Sequence, residues 1–195
     1  MHTFLRVLSL SIVILSASVM GAYAQSSNSS SKADVVITEF SDYQCPACAY
    51  YHPIVEKLKQ ELGSKVAVEY RYFPLNSHQF AALAARAAEA ARNQGKFKAM
   101  HDMLFENQDS WSSSGNPQSV FVGYAKELGL DLDQFKNDLN SGETQKTVME
   151  QKQEGVNMGV NSTPSFFING IQVQQLPRNY EQFKSLVESQ MPEDT

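Results

Sequence analysis

Residues 34–53 read DVVITEFSDYQCPACAYYHP. Asp34 to Phe40 is rich in β-branched residues and predicts a strand. From about Pro46 to Leu62 the apolar positions Ile54, Val55, Leu58 and Leu62 recur at helical spacing, and Gly63 ends the run. Cys45 and Cys48, the two cysteines of a 195-residue chain, therefore fall where a strand gives way to a helix.

The rest of the chain builds outward from that unit. Lys65 to Phe73 (KVAVEYRYF) alternates and predicts a second strand, stopped by Pro74. From Ser77 to Asn140 no strand pattern occurs. Helices are expected at Ala-rich Phe80–Arg92, at Lys96–Glu106, from the Asn116 cap and Pro117 to Leu128, and at Asp131–Asn140. Trp111 is expected in a serine-rich loop (SWSSSG) as an apolar anchor. A polar helix over Glu143–Gly159 follows, then a hairpin of Pro164–Asn169 and Ile171–Val173 turning at Gly170, and a last helix over Asn179–Gln190. No internal repeat is seen. The order is β-α-β, a helical insertion, then α-β-β-α. It predicts an α/β fold, a mixed four-stranded sheet flanked by helices, over residues 33–76 and 141–195, with an inserted all-helical subdomain over 77–140.

Composition bounds the function. Lys and Arg total 16 against 21 for Asp and Glu, a net charge of -5, so no basic footprint for nucleic acid is present. Hydrophobic residues make up 42 %, enough for an ordinary core. Residues 1–24 carry one Lys or Arg, Arg6, an apolar run from Val7 to Leu15, and Ala22-Tyr23-Ala24. They read as a secretory signal peptide cleaved before Gln25, with an uncleaved membrane anchor as the alternative. Residues 25–32 read as a flexible serine-rich leader. The expected product is periplasmic or otherwise extracytoplasmic, and soluble.

Export changes what the cysteines mean, because thiols outside the cytosol tend to be oxidised. A bridge between Cys45 and Cys48 would close a loop of about four residues and remove only about 2 kcal/mol of unfolded-state entropy. Stability favours longer loops, whereas exchange chemistry needs a second thiol close enough to attack a mixed disulfide formed by the first. Helix N-termini favour negative charge and lower thiol pKa values. Cys45, at or before the first turn, is therefore expected to be the exposed thiolate. Cys48 is expected to be the buried resolving thiol, and Pro46 suits the first helical position. Zinc or copper binding through the CxxC is the alternative from a different class, although His52, His78 and His101 show no paired spacing. No cofactor beyond the cysteine pair is expected.

Glu39 lies six residues before Cys45. Either it faces outward at the strand end, or it is a partly buried carboxylate that exchanges a proton with Cys48. Thr163-Pro164 opens the third strand, where proline is permitted. His52 is expected to serve packing, Phe97, Met100 and Met103 to be core, and Glu150 to Glu154 to be a solvated face. At least one of Tyr50 and Tyr51 should pack inward.

FSDYQCPACAYYHP with STPSFFING further on resembles the DsbA family of thiol:disulfide oxidoreductases. The resemblance covers nearly all of residues 25–195. It implies a thioredoxin-like fold with an inserted helical domain. It also implies a nucleophilic Cys45, a resolving Cys48, a buried acid at Glu39, and a cis-proline at Pro164 packed against the disulfide. Pro46, Ala47, Thr163 and Pro164 would meet the substrate, with Thr163 offering its backbone to a substrate strand. Reduced secreted polypeptides would be the substrates, and a membrane partner of the DsbB type would reoxidise the pair. Two departures matter. Ala47 stands where the best-known oxidases carry His, implying a weaker oxidant, and Thr163 also occurs in relatives that reduce or isomerise disulfides. The leader is too short for the N-terminal dimerisation domain of isomerases, so a monomeric oxidase is expected.

Overall fold

β1, Val35–Ser41, sits inside a four-stranded sheet of order β2-β1-β3-β4 in the computed structural model, which describes residues 33–192. The expected signal peptide and the whole of the expected leader lie outside the described residues. β1 runs parallel to β2 (Val66–Tyr72) and antiparallel to β3 (Ser165–Ile168), which pairs antiparallel with β4 (Ile171–Gln172). A parallel pair needs a crossover, and α1 (Pro46–Leu62) supplies it.

Strand alternation sorts the side chains onto two faces. Val35 and Ile37 pack with Tyr51, Val55 and Leu58 of α1, with Phe166 of β3, and with Phe183 and Val187 of α8 (Tyr180–Glu188). Phe40 points the other way, into a cluster with Phe73, Val160 and Phe167. A Cβ added at Gly155 of α7 (Gly142–Asn157) would lie 2.7 Å from the Phe73 ring and 2.9 Å from Phe40, so this glycine is what lets α7 close on the second face. Glu39 and Ser41 share the register of Val35 and Ile37, which puts both under α1.

Between β2 and α7 the described chain is helical: α2 (Ala81–Arg92), α3 (Phe97–Glu106), α4 (Gln108–Ser112), α5 (Pro117–Glu127) and α6 (Leu132–Leu139). Their caps follow the sequence. Asn116 accepts from Ser119 N at 3.2 Å with Pro117 next in line, and Asp131 accepts from Asp133 N and Gln134 N. α4 corrects the expected loop around Trp111. That tryptophan is fully buried in a short helix, donates to the Leu104 carbonyl at 2.6 Å, and packs edge-on against Phe121. The core of this helical segment runs without a break into Tyr43, Cys45, Cys48 and Tyr72. Tyr51 packs inward while Tyr50 is exposed. No described helix is long and apolar enough to cross a membrane.

Candidate active site

Cys45 is the N-cap of α1, with extended backbone angles (φ -81°, ψ 120°), and Pro46 follows at the start of the helix. The loop before it is fastened from several directions. Cys45 N donates to Asp42 O at 3.0 Å. Asp42, 1 % exposed, accepts from Gln44 N at 2.7 Å through one carboxylate oxygen. Its other oxygen meets Leu75 N and His78 Nδ1, each at 2.8 Å. Gln44 Oε1 accepts from Phe80 N at 2.7 Å. From α4, the buried Gln108 Nε2 donates to the carbonyls of Tyr43 at 2.7 Å and Cys45 at 3.0 Å.

Sequence reasoning missed Gln108 and Asp42. A charge three residues before Cys45 is a signal that could have drawn attention to Asp42. Nothing local distinguishes Gln108 from any polar helix residue, because its role depends on where the helical segment docks.

Both thiols are free. Cys48 is completely buried and its Sγ accepts from Asp42 N at 3.5 Å. Cys45, expected to be exposed, is 7 % exposed: the order of burial holds, but the outer thiol is largely covered. Pro46 and Ala47 form the open side of the motif. The Thr163-Pro164 peptide is cis, and the Thr163 carbonyl oxygen lies 3.4 Å from Cys45 Sγ, which donates to it as a thiol. The structure thus brings Cys45, Cys48 and Thr163-Pro164 together from distant parts of the chain.

The environment splits the two thiols. Cys45 is pulled down to about 5, chiefly because Cys48 donates to its sulfur. Burial opposes this, while Thr163 and the N–H groups of Ala47 and Cys48 reinforce it. The Thr163 hydroxyl has no partner among the described residues and is available to the thiolate. Cys48 is pushed well above the ordinary thiol value by burial first, then by the hydrogen bond and charge of Cys45.

Glu39 is 1 % exposed, which removes the outward-facing reading. Burial raises its carboxyl to about 7, with the Ser41 hydroxyl opposing and the Glu56 charge adding. Glu39 Oε1 has no full hydrogen bond among the described residues, and neither does Ser41 Oγ. Ser41 also acts on Cys48, lowering its pKa.

The thioredoxin family profile matches residues 28–189. The chain belongs to the thioredoxin family. A thioredoxin-like oxidoreductase from Silicibacter pomeroyi is similar in structure, with 30 % identity, a TM-score of 0.68, and coverage of 81 % of this chain and 87 % of that one. BdbD from Bacillus subtilis (22 % identity, TM-score 0.71, coverage 82 % and 89 %) shares the fold. So does α-DsbA1 from Wolbachia pipientis (20 % identity, TM-score 0.70, coverage 81 % and 86 %). Among curated relatives, the Na(+)/H(+) antiporter NhaA 1 of Mycobacterium sp. strain KMS is 35 % identical over 143 residues. That match takes in 71 % of this chain and 22 % of the antiporter, so the chain spans about a fifth of that relative's length. Within the thioredoxin family this chain combines that fold with two free thiols three residues apart at a helix N-terminus.

Proposed function

We propose that this protein is an exported oxidase that donates the Cys45–Cys48 disulfide to reduced polypeptides. The observation that carries the reading is the opposite displacement of two thiols three residues apart, Cys45 down and Cys48 up. A substrate thiolate attacks Cys45 Sγ of the disulfide, and Cys48 leaves. Cys48 holds a proton strongly, and Glu39, neutral below about 7, can supply it. The second substrate thiolate attacks the substrate sulfur of the mixed disulfide, and Cys45 leaves as a stable thiolate. Low pKa makes it the better leaving group. Two electrons pass from the substrate dithiol to the cysteine pair.

Thr163 O, beside Cys45, offers an acceptor to an extended substrate strand, while Pro46 and Ala47 face that strand from the open side. Reoxidation falls to a membrane partner of the DsbB type. Residues 1–24 direct export, residues 77–140 act as the inserted helical subdomain, and the protein works as a soluble periplasmic monomer without a cofactor.

Equilibration in thiol–disulfide buffers tests the direction of flux. A stabilised Cys45 thiolate favours the reduced enzyme, so the couple should be more oxidising than thioredoxin at about -270 mV. A couple as reducing as thioredoxin would overturn the oxidase reading. Cys48→Ser should trap mixed disulfides through Cys45, because the Cys45 thiolate can still attack a disulfide of a substrate, displacing one of its thiolates, and no second thiol remains to resolve the product. Equal trapping by Cys45→Ser would reverse the assigned roles.

A further inference from the structure

Two histidines that are far apart in sequence meet between α1 and α3. His52 of α1 and His101 of α3 have ring centroids 5.1 Å apart, and Asp102 is next to His101 in the chain. One ligand atom from each of the three lies within 4.8 Å of the other two. His52 Nε2 is 3.3 Å from Asp102 Oδ1. Neighbouring ligand atoms around a tetrahedral zinc ion with bonds of about 2.0–2.1 Å stand about 3.3–3.4 Å apart, so this pair already has that spacing.

Packing accounts for only part of the arrangement. His52 stacks on Phe105 at 5.0 Å, and His101 lies against Phe105, Phe97 and Tyr70. A phenylalanine or leucine at 101 would fill such a core without polar atoms. His101 instead is 1 % exposed, meets the Tyr43 hydroxyl through Nδ1 at 2.8 Å, and has no partner for Nε2 among the described residues. A hydrogen bond on one imidazole nitrogen is what orients the ring of a metal-binding histidine. A cleft of about 480 Å³ between α1 and α3 opens on His52 and Asp102, with Glu56 and Glu106 on its wall.

We propose that His52, His101 and Asp102 form a site for one divalent transition-metal ion of the zinc class, entered from this cleft and completed by water. Two imidazoles and a carboxylate suit zinc, and three protein ligands leave a position open. Lys98 is the built-in competitor. Its Nζ lies 2.6 Å from Asp102 Oδ1 and 2.8 Å from Glu56 Oε2. The ion displaces this half-exposed ammonium into solvent.

The test uses the full chain with the Cys45–Cys48 disulfide formed, so that thiols cannot bind metal. Zn²⁺ is titrated against a chromophoric chelator, and Co²⁺ reports the geometry through its visible spectrum. One equivalent should bind with a tetrahedral Co²⁺ spectrum. His52→Gln and Asp102→Asn should each weaken binding at least about tenfold. Lys98→Met should strengthen it about fivefold or more by removing a nearby positive charge. Metal-free thermal unfolding verifies the fold of each variant, and Asp102, partly exposed, is the safer ligand to change. Absence of binding, binding that survives both ligand substitutions, or a Lys98 variant that binds no tighter overturns the proposal. The exchange activity described above does not enter this test and stands whatever its result.

Discussion

Glu39→Gln should make this protein more stable and less active. The carboxyl ionises near 7 in the folded chain against 4.5 for an unperturbed glutamate. Unfolding releases it into water, so from pH 4.5 to 7 the unfolded chain has lost a proton that the folded chain keeps. Stability therefore falls as pH rises through this window. Above 7 the folded state carries the full penalty, roughly 3 kcal/mol for a fully buried group. Glutamine mimics the neutral acid at every pH. The stability difference between Glu39→Gln and the parent should be near zero at pH 4 and should grow to roughly 3 kcal/mol in favour of the variant at pH 8. Urea unfolding at pH 4, 6 and 8 measures it, with both proteins held as the disulfide so that the thiols do not titrate. The same variant cannot pass a proton to Cys48, so its exchange rate should drop and lose its inflection near 7. A stability difference that does not change with pH would refute the burial argument, and an unchanged rate profile would refute the proton role.

Thiolate absorbance of the reduced protein should show Cys45 ionising near pH 5, with no second thiolate until well above pH 9; a single inflection near 9 would contradict the split. Gln108→Ala strips the donor from the buried Tyr43 and Cys45 carbonyls and should cost about 1–3 kcal/mol in urea unfolding. It should also raise the Cys45 inflection, because the cap loop loosens; a stability loss without that rise would make Gln108 a packing residue only. Gly155→Ala drives a methyl into Phe73 and Phe40 and should destabilise by about 1–3 kcal/mol while leaving the Cys45 inflection in place.

The sheet and most helices were legible because their signals are local. DVVITEF, KVAVEYRYF and the Asn116-Pro117 cap each specify an element within a few residues, and the elements appear within one or two residues of the expected ends. α4 was not legible, since SWSSSG offers turn-forming serines while the buried Trp111 and Gln108 of that segment are held by partners outside it. In the site, the CxxC and its strand-to-helix setting were legible. The burial of Glu39 was not, because alternation in a strand covered on both faces does not say which neighbour lies above it. His52 and His101 showed no paired spacing, and their meeting depends on α3 docking against α1. Gln108 was missed for the same reason: long-range docking is not encoded in local spacing.

The inserted helices do more than cover the site. Cys45 and Cys48 are one helical turn apart, so the helix N-terminus alone would lower both thiols, the second less than the first. It cannot raise Cys48. What raises it is burial, and Cys45 and Cys48 belong to the same continuous core as α2, α3, α4 and α5. The same helices supply Gln108, which fixes the Cys45 carbonyl and hence the cap geometry that exposes α1's first N–H groups to the outer sulfur. The splitting of the pair is therefore a tertiary property of insertion and sheet together. Loosening the insertion should bring the two thiols toward a common value, which removes both the stable leaving group at Cys45 and the strong proton demand at Cys48. The split between the two thiols thus depends on the contact between helical segment and sheet, and the CxxC letters alone do not determine it.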